Sequence, residues 1–127
     1  AAVLVPSAAV GEELAQALTL QGLPSRFFRG RDLDLSAPEV KVLTLHSAKG
    51  LEFPTVVVCG LRPGTYPTPD QYGDAAEYAE ELREHRRLLY VGATRAMAGL
   101  LLIEPKGCLD AVLLGLDRSH WNVQEAS

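Results

Sequence analysis

The chain has 127 residues, 47% of them apolar and 22% charged, with 12 lysines and arginines against 16 aspartates and glutamates. A length of this order builds one hydrophobic core without disulfides or a structural metal, and no apolar run approaches the ~18 residues of a membrane-spanning helix. The net charge of −4 excludes a domain that clamps nucleic acid by bulk electrostatics, so any such contact must be local.

The two cysteines, Cys59 in VVVCGL and Cys108 in KGCLD, offer no metal-ligand spacing, and no metal site is expected. One lone pair in a domain of this size gives little reason for a disulfide, and Cys59 reads as a small core residue. The chain starts at Ala1-Ala2-Val3-Leu4-Val5, which is already the body of a strand and has no initiator methionine. A piece of a longer protein is the expectation. Nothing resembles a secretory leader, and a cytoplasmic location is expected.

In chain order, Ala2 to Val5 is a short apolar strand, followed by Pro6, Ser7 and the stretch VGEELAQALTLQG. There Val10, Leu14, Ala17 and Leu18 fall at helical spacing, Ser7 suits the N-cap, and Gly22 suits the position just past the C-cap. Arg26 to Arg29 (RFFR) predicts a second strand, and Gly30 to Glu39 a polar loop. Lys41 to Leu45 and Pro54 to Gly60 are β-rich, the second apolar almost throughout, as in a strand covered on both faces. Leu61 to Gly73 is rich in proline and glycine and predicts a loop.

From Asp74 the chain is helical for about two dozen residues, with Leu82, Leu89 and Ala93 on one stripe beside Tyr78 and Leu88. Gly92 is expected to weaken or break that helix, and Tyr90 to lie in the core with Leu88. Gly99 to Glu104 predicts another buried strand, Leu109 to Leu116 a last helix, and residues 117–127 a polar tail that frays. Buried strands alternating with amphipathic helices imply an α/β fold with a mostly parallel sheet flanked by helices. Ligands of such sheets sit at the carboxyl ends of strands. The link from Leu45 to Pro54 is short for a parallel crossover, so either one helical turn suffices or the two strands are not neighbours.

Between Leu45 and Pro54 lies the knot His46-Ser47-Ala48-Lys49-Gly50-Leu51-Glu52. It is not a Walker A loop, which needs an earlier glycine and the order Gly-Lys-Ser/Thr. Read together, TLHSAKGLEF and EHRRLLYVGATRA resemble two motifs of the UvrD/Rep-like branch of superfamily 1 DNA helicases. In the second RecA-like motor domain of that family, called 2A, motif V is T-x-H-x-x-K-G-L-E-F and motif VI is E-x-R-R-L-x-Y-V-x-x-T-R-A. Here these are Thr44, His46, Lys49, Gly50, Leu51, Glu52 and Phe53, then Glu84, Arg86, Arg87, Leu88, Tyr90, Val91, Thr94, Arg95 and Ala96. The opening strand, helix and GLPSRFF resemble the motif IV region, so the likeness runs to about Glu104.

The resemblance implies one RecA-like 2A domain of the P-loop NTPase type over residues 1–127, without a Walker A motif of its own. It also implies that the large 2B insertion is replaced by the loop near residues 30–39. The N-terminal motor domain of the same protein, 1A, would hold most of ATP and Mg2+, and single-stranded DNA would be the polymer bound. Motif IV in this family places an arginine directly after its first strand, toward the γ-phosphate, where this chain has Pro6.

Phosphoryl transfer is mostly positioning and charge neutralisation, which suits arginine's fixed, always protonated fork. By resemblance Arg95 is the arginine finger, acting across the cleft on ATP held by 1A; the plain alternative is a surface arginine capping a helix end. Glu52, by resemblance, accepts a hydrogen bond from the ribose while Gly50 lets backbone approach closely. The alternative for Glu52 is a carboxylate paired with Lys49 or a neighbouring arginine. Thr44, His46, Ser47 and Lys49 are then the DNA-facing side of a relay whose other side faces nucleotide, since hydroxyl and imidazole donors hold a phosphate without much positive charge.

Arg83, Arg86 and Arg87 read as a solvated face with Glu80 and Glu84, with Arg87 favoured as a structural pair that anchors its helix. Tyr66 and Tyr72 are loop packing before they are base-stacking groups. The function expected is the C-terminal motor domain of an ATP-dependent DNA helicase or translocase, inactive as an isolated fragment. Two rivals stand beside it: a degenerate helicase-like adaptor for nucleic acid or protein, and the motor part of a helicase–nuclease.

Overall fold

In the computed structural model the described residues are 1–29, 32–60, 73–104, 119, 121–122 and 124. They form β1 (Ala2–Val5), α1 (Ala8–Leu20), β2 (Ser25–Phe27), β3 (Val40–Thr44), β4 (Phe53–Val58), α2 (Ala75–Ala93) and β5 (Ala96–Leu102). The five strands make one sheet in the order β2-β3-β1-β4-β5, and every neighbouring pair is parallel. This is the α/β architecture expected. The short link from Leu45 is also accounted for, because β1 lies between β3 and β4 and the two are not neighbours.

The central strand sets the layers. All four residues of β1 are buried, and because successive side chains alternate, they feed two cores. Val3 and Val5 pack with Val42 and Ala15 beneath α1, while Ala2 and Leu4 pack with Leu43, Val56, Val58 and Leu89 beneath α2. Helix α1 comes close to the sheet at Gly11, where a Cβ would stand 2.5 Å from the Phe27 ring.

Local chemistry fixes both ends of α1. Ser7 is extended and its hydroxyl accepts from Val10 N. At the other end Gly22 takes a left-handed φ of +92°, and the Gly22 and Leu23 amides donate to Thr19 O at 3.1 Å and Leu18 O at 3.0 Å. That pair of bonds satisfies the last carbonyls and reverses the chain toward β2. Thr19 Oγ1 then accepts from Ser25 N at 3.0 Å, tying the first residue of β2 to the helix end.

Several boundaries differ from expectation. The predicted strand over Arg26 to Arg29 is β2 at Ser25–Phe27, although Phe28 is buried and its amide still reaches Val42 O. β4 is covered at Phe53 and in its second half, while Pro54 and Thr55 between them are exposed. Helix α2 ends at Ala93, and Ala96 and Met97, expected in the helix, already belong to β5. Pairing with β4 captures them: Phe53 is in register with Ala96 and Thr55 with Gly99, across an irregularity. β5 is an edge strand rather than a buried one, with Met97 60% and Leu101 53% exposed.

In the connection between β2 and β3, Asp34 accepts from the Ser36 hydroxyl at 2.6 Å and the Ser36 amide at 2.9 Å. Those bonds hold its carboxyl below the ordinary value. Cys59 is half-buried and packs with the α1 core, and desolvation raises its thiol pKa. Nearly all of the predicted loop at Leu61 to Gly73, with Tyr66 and Tyr72, lies outside the described residues, as do Cys108, the predicted helix at Leu109 to Leu116 and most of the tail. Among the described residues no helix is long and apolar enough to cross a membrane.

Leu4 is wholly buried in the central strand, so Leu4→Ala should lower stability by about 3 kcal/mol, the usual scale for a large-to-small core change. Urea denaturation of wild type and variant measures the difference.

Candidate functional site

Thr44 ends β3, and Leu45 adds one more sheet contact by donating from its amide to Val5 O at 2.9 Å. The chain then turns. Leu45 and Ala48 are buried and act as anchors, while His46, Lys49 and Gly50 are exposed and Ser47 is half-buried. Thr44 Oγ1 donates to Ser47 Oγ at 2.9 Å and accepts from Ser47 N at 3.2 Å, which locks the first part of the turn by local side-chain bonding. Leu51 N donates to Ala48 O at 3.0 Å, and Gly50 has φ +82°. The left-handed glycine lets the chain leave the turn toward β4, and exposed Glu52 immediately precedes buried Phe53.

Helix α2 starts at an Asp74 cap, whose carboxylate accepts from Ala76 N at 2.9 Å, with Glu77 in the first turn. Leu82, Leu89 and Gly92 face the sheet. Tyr90 does not join them: it is 69% exposed, because at about 100° per residue it points roughly 120° away from the centre of that stripe. Gly92 does not break the helix, which runs on to Ala93. Its missing side chain is filled by a neighbour, since a Cβ there would stand 2.4 Å from Leu45 Cδ2 and 3.3 Å from Leu4 Cδ1.

The helix end is closed by the residues that follow it. Thr94 N donates to Tyr90 O, and Arg95 N to Gly92 O at 3.2 Å. The Thr94 hydroxyl donates to Tyr90 O at 2.9 Å with Val91 O at 3.0 Å, and Arg95 Nε donates to Val91 O at 3.0 Å. Arg95 thus rests half-buried as a cation on the carbonyl end of the helix, a favourable place for positive charge. Its own carbonyl accepts from Phe53 N at 2.9 Å.

That last bond brings Glu52 and Arg95 together by sequence neighbours, at the amino ends of β4 and β5. Thr44, His46, Ser47 and Lys49 lie instead at and beyond the carboxyl end of β3. Strand polarity therefore divides six of the seven candidate residues into two groups, with the seventh, Gly50, on the segment that joins them. Pro6 follows the carboxyl end of β1 and leaves the sheet from the end opposite to Arg95.

His46 and Lys49 face α2 across a groove of about 430 Å³, lined also by Leu45, Glu81, Glu84, His85, Arg87, Leu88 and Val91. Arg87 pairs with Glu84 and Arg83 with Glu80, each within the exposed face of α2. Arg87 therefore does not anchor the helix to another element through that pair, and an exposed pair of this kind contributes little. Among the described residues no ion pair joins Glu52 to Lys49, and no group of three or more His, Cys, Asp and Glu side chains can hold a metal ion.

Sequence reasoning missed Glu81 and His85 as partners of the turn. Their signal was the helical spacing that puts them beside Leu88. It missed the Phe53–Arg95 backbone bond as well, for which the sequence carries no signal.

The profile of the family described as "UvrD-like helicase C-terminal domain" matches residues 6–106. The chain is 48% identical over 63 residues to DNA helicase II of Escherichia coli, a stretch covering 50% of this chain and 8% of that protein. It is 46% identical over 67 residues to the ATP-dependent DNA helicase PcrA of Bacillus subtilis, covering 53% of this chain and 8% of the relative. Matches to these relatives thus span about 8% of their length. The crystal structure of the C-terminal domain of a possible DNA helicase from Lactobacillus plantarum superposes with a TM-score of 0.58 at 28% identity, covering 87% of this chain and 61% of that one.

No atom lies within 4 Å of where a Cβ on Gly50 would be, so Gly50→Ala should cost about 1 kcal/mol through backbone strain alone. Gly50→Asn should cost less, because asparagine tolerates the left-handed region. Equal losses for the two variants in urea denaturation would contradict this account of the turn.

Proposed function

The chain belongs to the UvrD-like helicase C-terminal domain family, and from that membership we propose that it is the C-terminal motor domain of an ATP-dependent DNA helicase or translocase. The observation that carries the proposal is the separation of the candidate residues into two ends of one crossover. Glu52 and Arg95 sit side by side at one end, through the Phe53–Arg95 backbone bond, and the hydroxyl, imidazole and ammonium donors sit at the other.

ATP with Mg2+, held mainly by the N-terminal motor domain of the same protein, supplies the phosphoanhydride bond whose hydrolysis drives movement. The residues present fit a share of that nucleotide. Arg95 offers a guanidinium whose Nε serves the helix end and whose Nη2 donates to Thr94 Oγ1 at 3.3 Å, leaving Nη1 foremost to neutralise charge that spreads over the γ-phosphoryl oxygens. Glu52 is an exposed acceptor for ribose hydroxyls, and the open space at Gly50 permits close approach of backbone.

On the other side, Ser47, His46 and Lys49 hold single-stranded DNA by its phosphates. Thr44 directs its hydroxyl to Ser47 and so orders Ser47 rather than donating outward. Glu81 in the same groove disfavours bulk anion binding, which restricts the contact to a few phosphates. Pro6, in place of the motif IV arginine, favours a second reading, in which the domain is a helicase-like adaptor without ATPase activity.

ATP turnover separates the two readings. In the full-length protein Arg95→Ala should leave single-stranded DNA binding nearly intact and cut ATP turnover about a thousandfold, the usual scale for losing an arginine finger. Arg95→Lys should restore little, since lysine keeps the charge without the planar fork. Turnover close to wild type in Arg95→Ala would remove Arg95 from the phosphate, and no turnover in the wild-type protein itself would leave the adaptor. His46→Ala should lower DNA-stimulated ATP turnover more than the basal rate, and equal losses in steady-state assays would place His46 on the nucleotide side.

A further inference from the structure

Helix α2 touches the start of the 45–52 crossover at Gly92. A side chain of even one carbon at this position would meet Leu45 Cδ2 at 2.4 Å, closer than non-bonded carbons approach, and Leu4 Cδ1 at 3.3 Å, so the Leu45 side chain, the helix or the crossover would have to move. Leu45 has little room to yield, being 3% exposed, with its amide bound to Val5 O and with His46 directly following it. From Gly92 the path to the guanidinium is short. Gly92 O accepts from Arg95 N at 3.2 Å, Val91 O accepts from Arg95 Nε at 3.0 Å, and Arg95 O accepts from Phe53 N at 2.9 Å.

We propose that Gly92 is a positioning residue. Its close approach to Leu45 sets the height of α2 over the crossover, and with it the place of Arg95 relative to Glu52 at one end and His46 at the other. The inference rests on the assignment of Arg95 as the phosphate-directed arginine. Gly92 acts through Arg95 and touches no reacting group itself. Alanine is the better helix former, so without the contact with Leu45 the change Gly92→Ala would favour the helix. Any loss it causes therefore reports the contact.

The full-length protein tests this with three variants, Gly92→Ala, Leu45→Val and the two combined. Leu45→Val removes the Cδ2 atom that a Cβ at position 92 would strike. Gly92→Ala should lower kcat for DNA-stimulated ATP hydrolysis by about 100-fold, the scale for displacing a catalytic group by an ångström, with KM for ATP changed much less. In the double variant kcat should recover at least about tenfold, because adjacent residues couple non-additively. Melting temperatures and the folded fraction are measured alongside.

Recovery of kcat in the double variant supports the inference even where Gly92→Ala alone folds poorly. Gly92→Ala with full kcat, while Arg95→Ala is inactive, overturns it. So does a loss confined to the folded fraction with kcat per folded molecule unchanged, or a loss of kcat that Leu45→Val does not relieve. Full activity in Arg95→Ala overturns the underlying assignment instead.

Discussion

The arrangement depends on β1 lying between β3 and β4 in an all-parallel sheet. Because β3 ends at the carboxyl edge and β4 begins at the amino edge, residues 45–52 must travel the whole length of a strand. A strand of ordinary length is about 17–20 Å, and eight residues reach at most about 26–29 Å when fully extended. The segment makes two turns on the way: the Thr44–Ser47 hydroxyl pair closes the first, and the Leu51 amide closes the second on Ala48 O beside left-handed Gly50, with buried Leu45 and Ala48 as anchors. A segment held by two turns and two buried anchors is more ordered than a loose loop would be.

The second restraint is the way α2 ends. Arg95 is the plain alternative and the functional candidate at once: its Nε closes the helix at Val91 O while its peptide carbonyl holds Phe53 N. Capping of this kind is favourable by less than about 1 kcal/mol. That is small beside the charge developed on a transferring phosphoryl group, so the resting contact would not trap the guanidinium if Arg95 serves the nucleotide as proposed. The backbone bond does more to fix its place, because it ties the amino ends of β4 and β5 regardless of side-chain rotamer.

Much of the fold was legible because its signals are local. The apolar run of β1, the Ser7 cap and the Gly22 stop each act within a few residues, and the structure places α1 between them. The end of α2 was not legible. Ala96 and Met97 suit helix and strand alike, and the register of β5 against Phe53 decided between them. Tyr90 was misread as core because the YVG stretch looks apolar in sequence, whereas only the angular position on the helix decides what faces the sheet. Gly92 was misread for the opposite reason: a glycine in a helix signals weakness until its neighbour is known, and Leu45 is far away in sequence. The seven candidate residues were found from their two motifs, but the division of six of them between opposite sheet ends follows from strand order, which no motif encodes.

The charge of the site fits a domain that works as one half of a pair. The groove beside the turn holds His46, Lys49, His85 and Arg87, yet it also holds Glu81 and Glu84, and Glu84 pairs with Arg87. The chain as a whole is acidic at −4. Such a surface would gain little from counterion release, so in the proposed function it would hold a polyanion weakly and select by the geometry of a few donors. Under the proposed function weak binding would suit a moving contact, because a motor domain that must release one phosphate to take the next would be hindered by a strong basic patch.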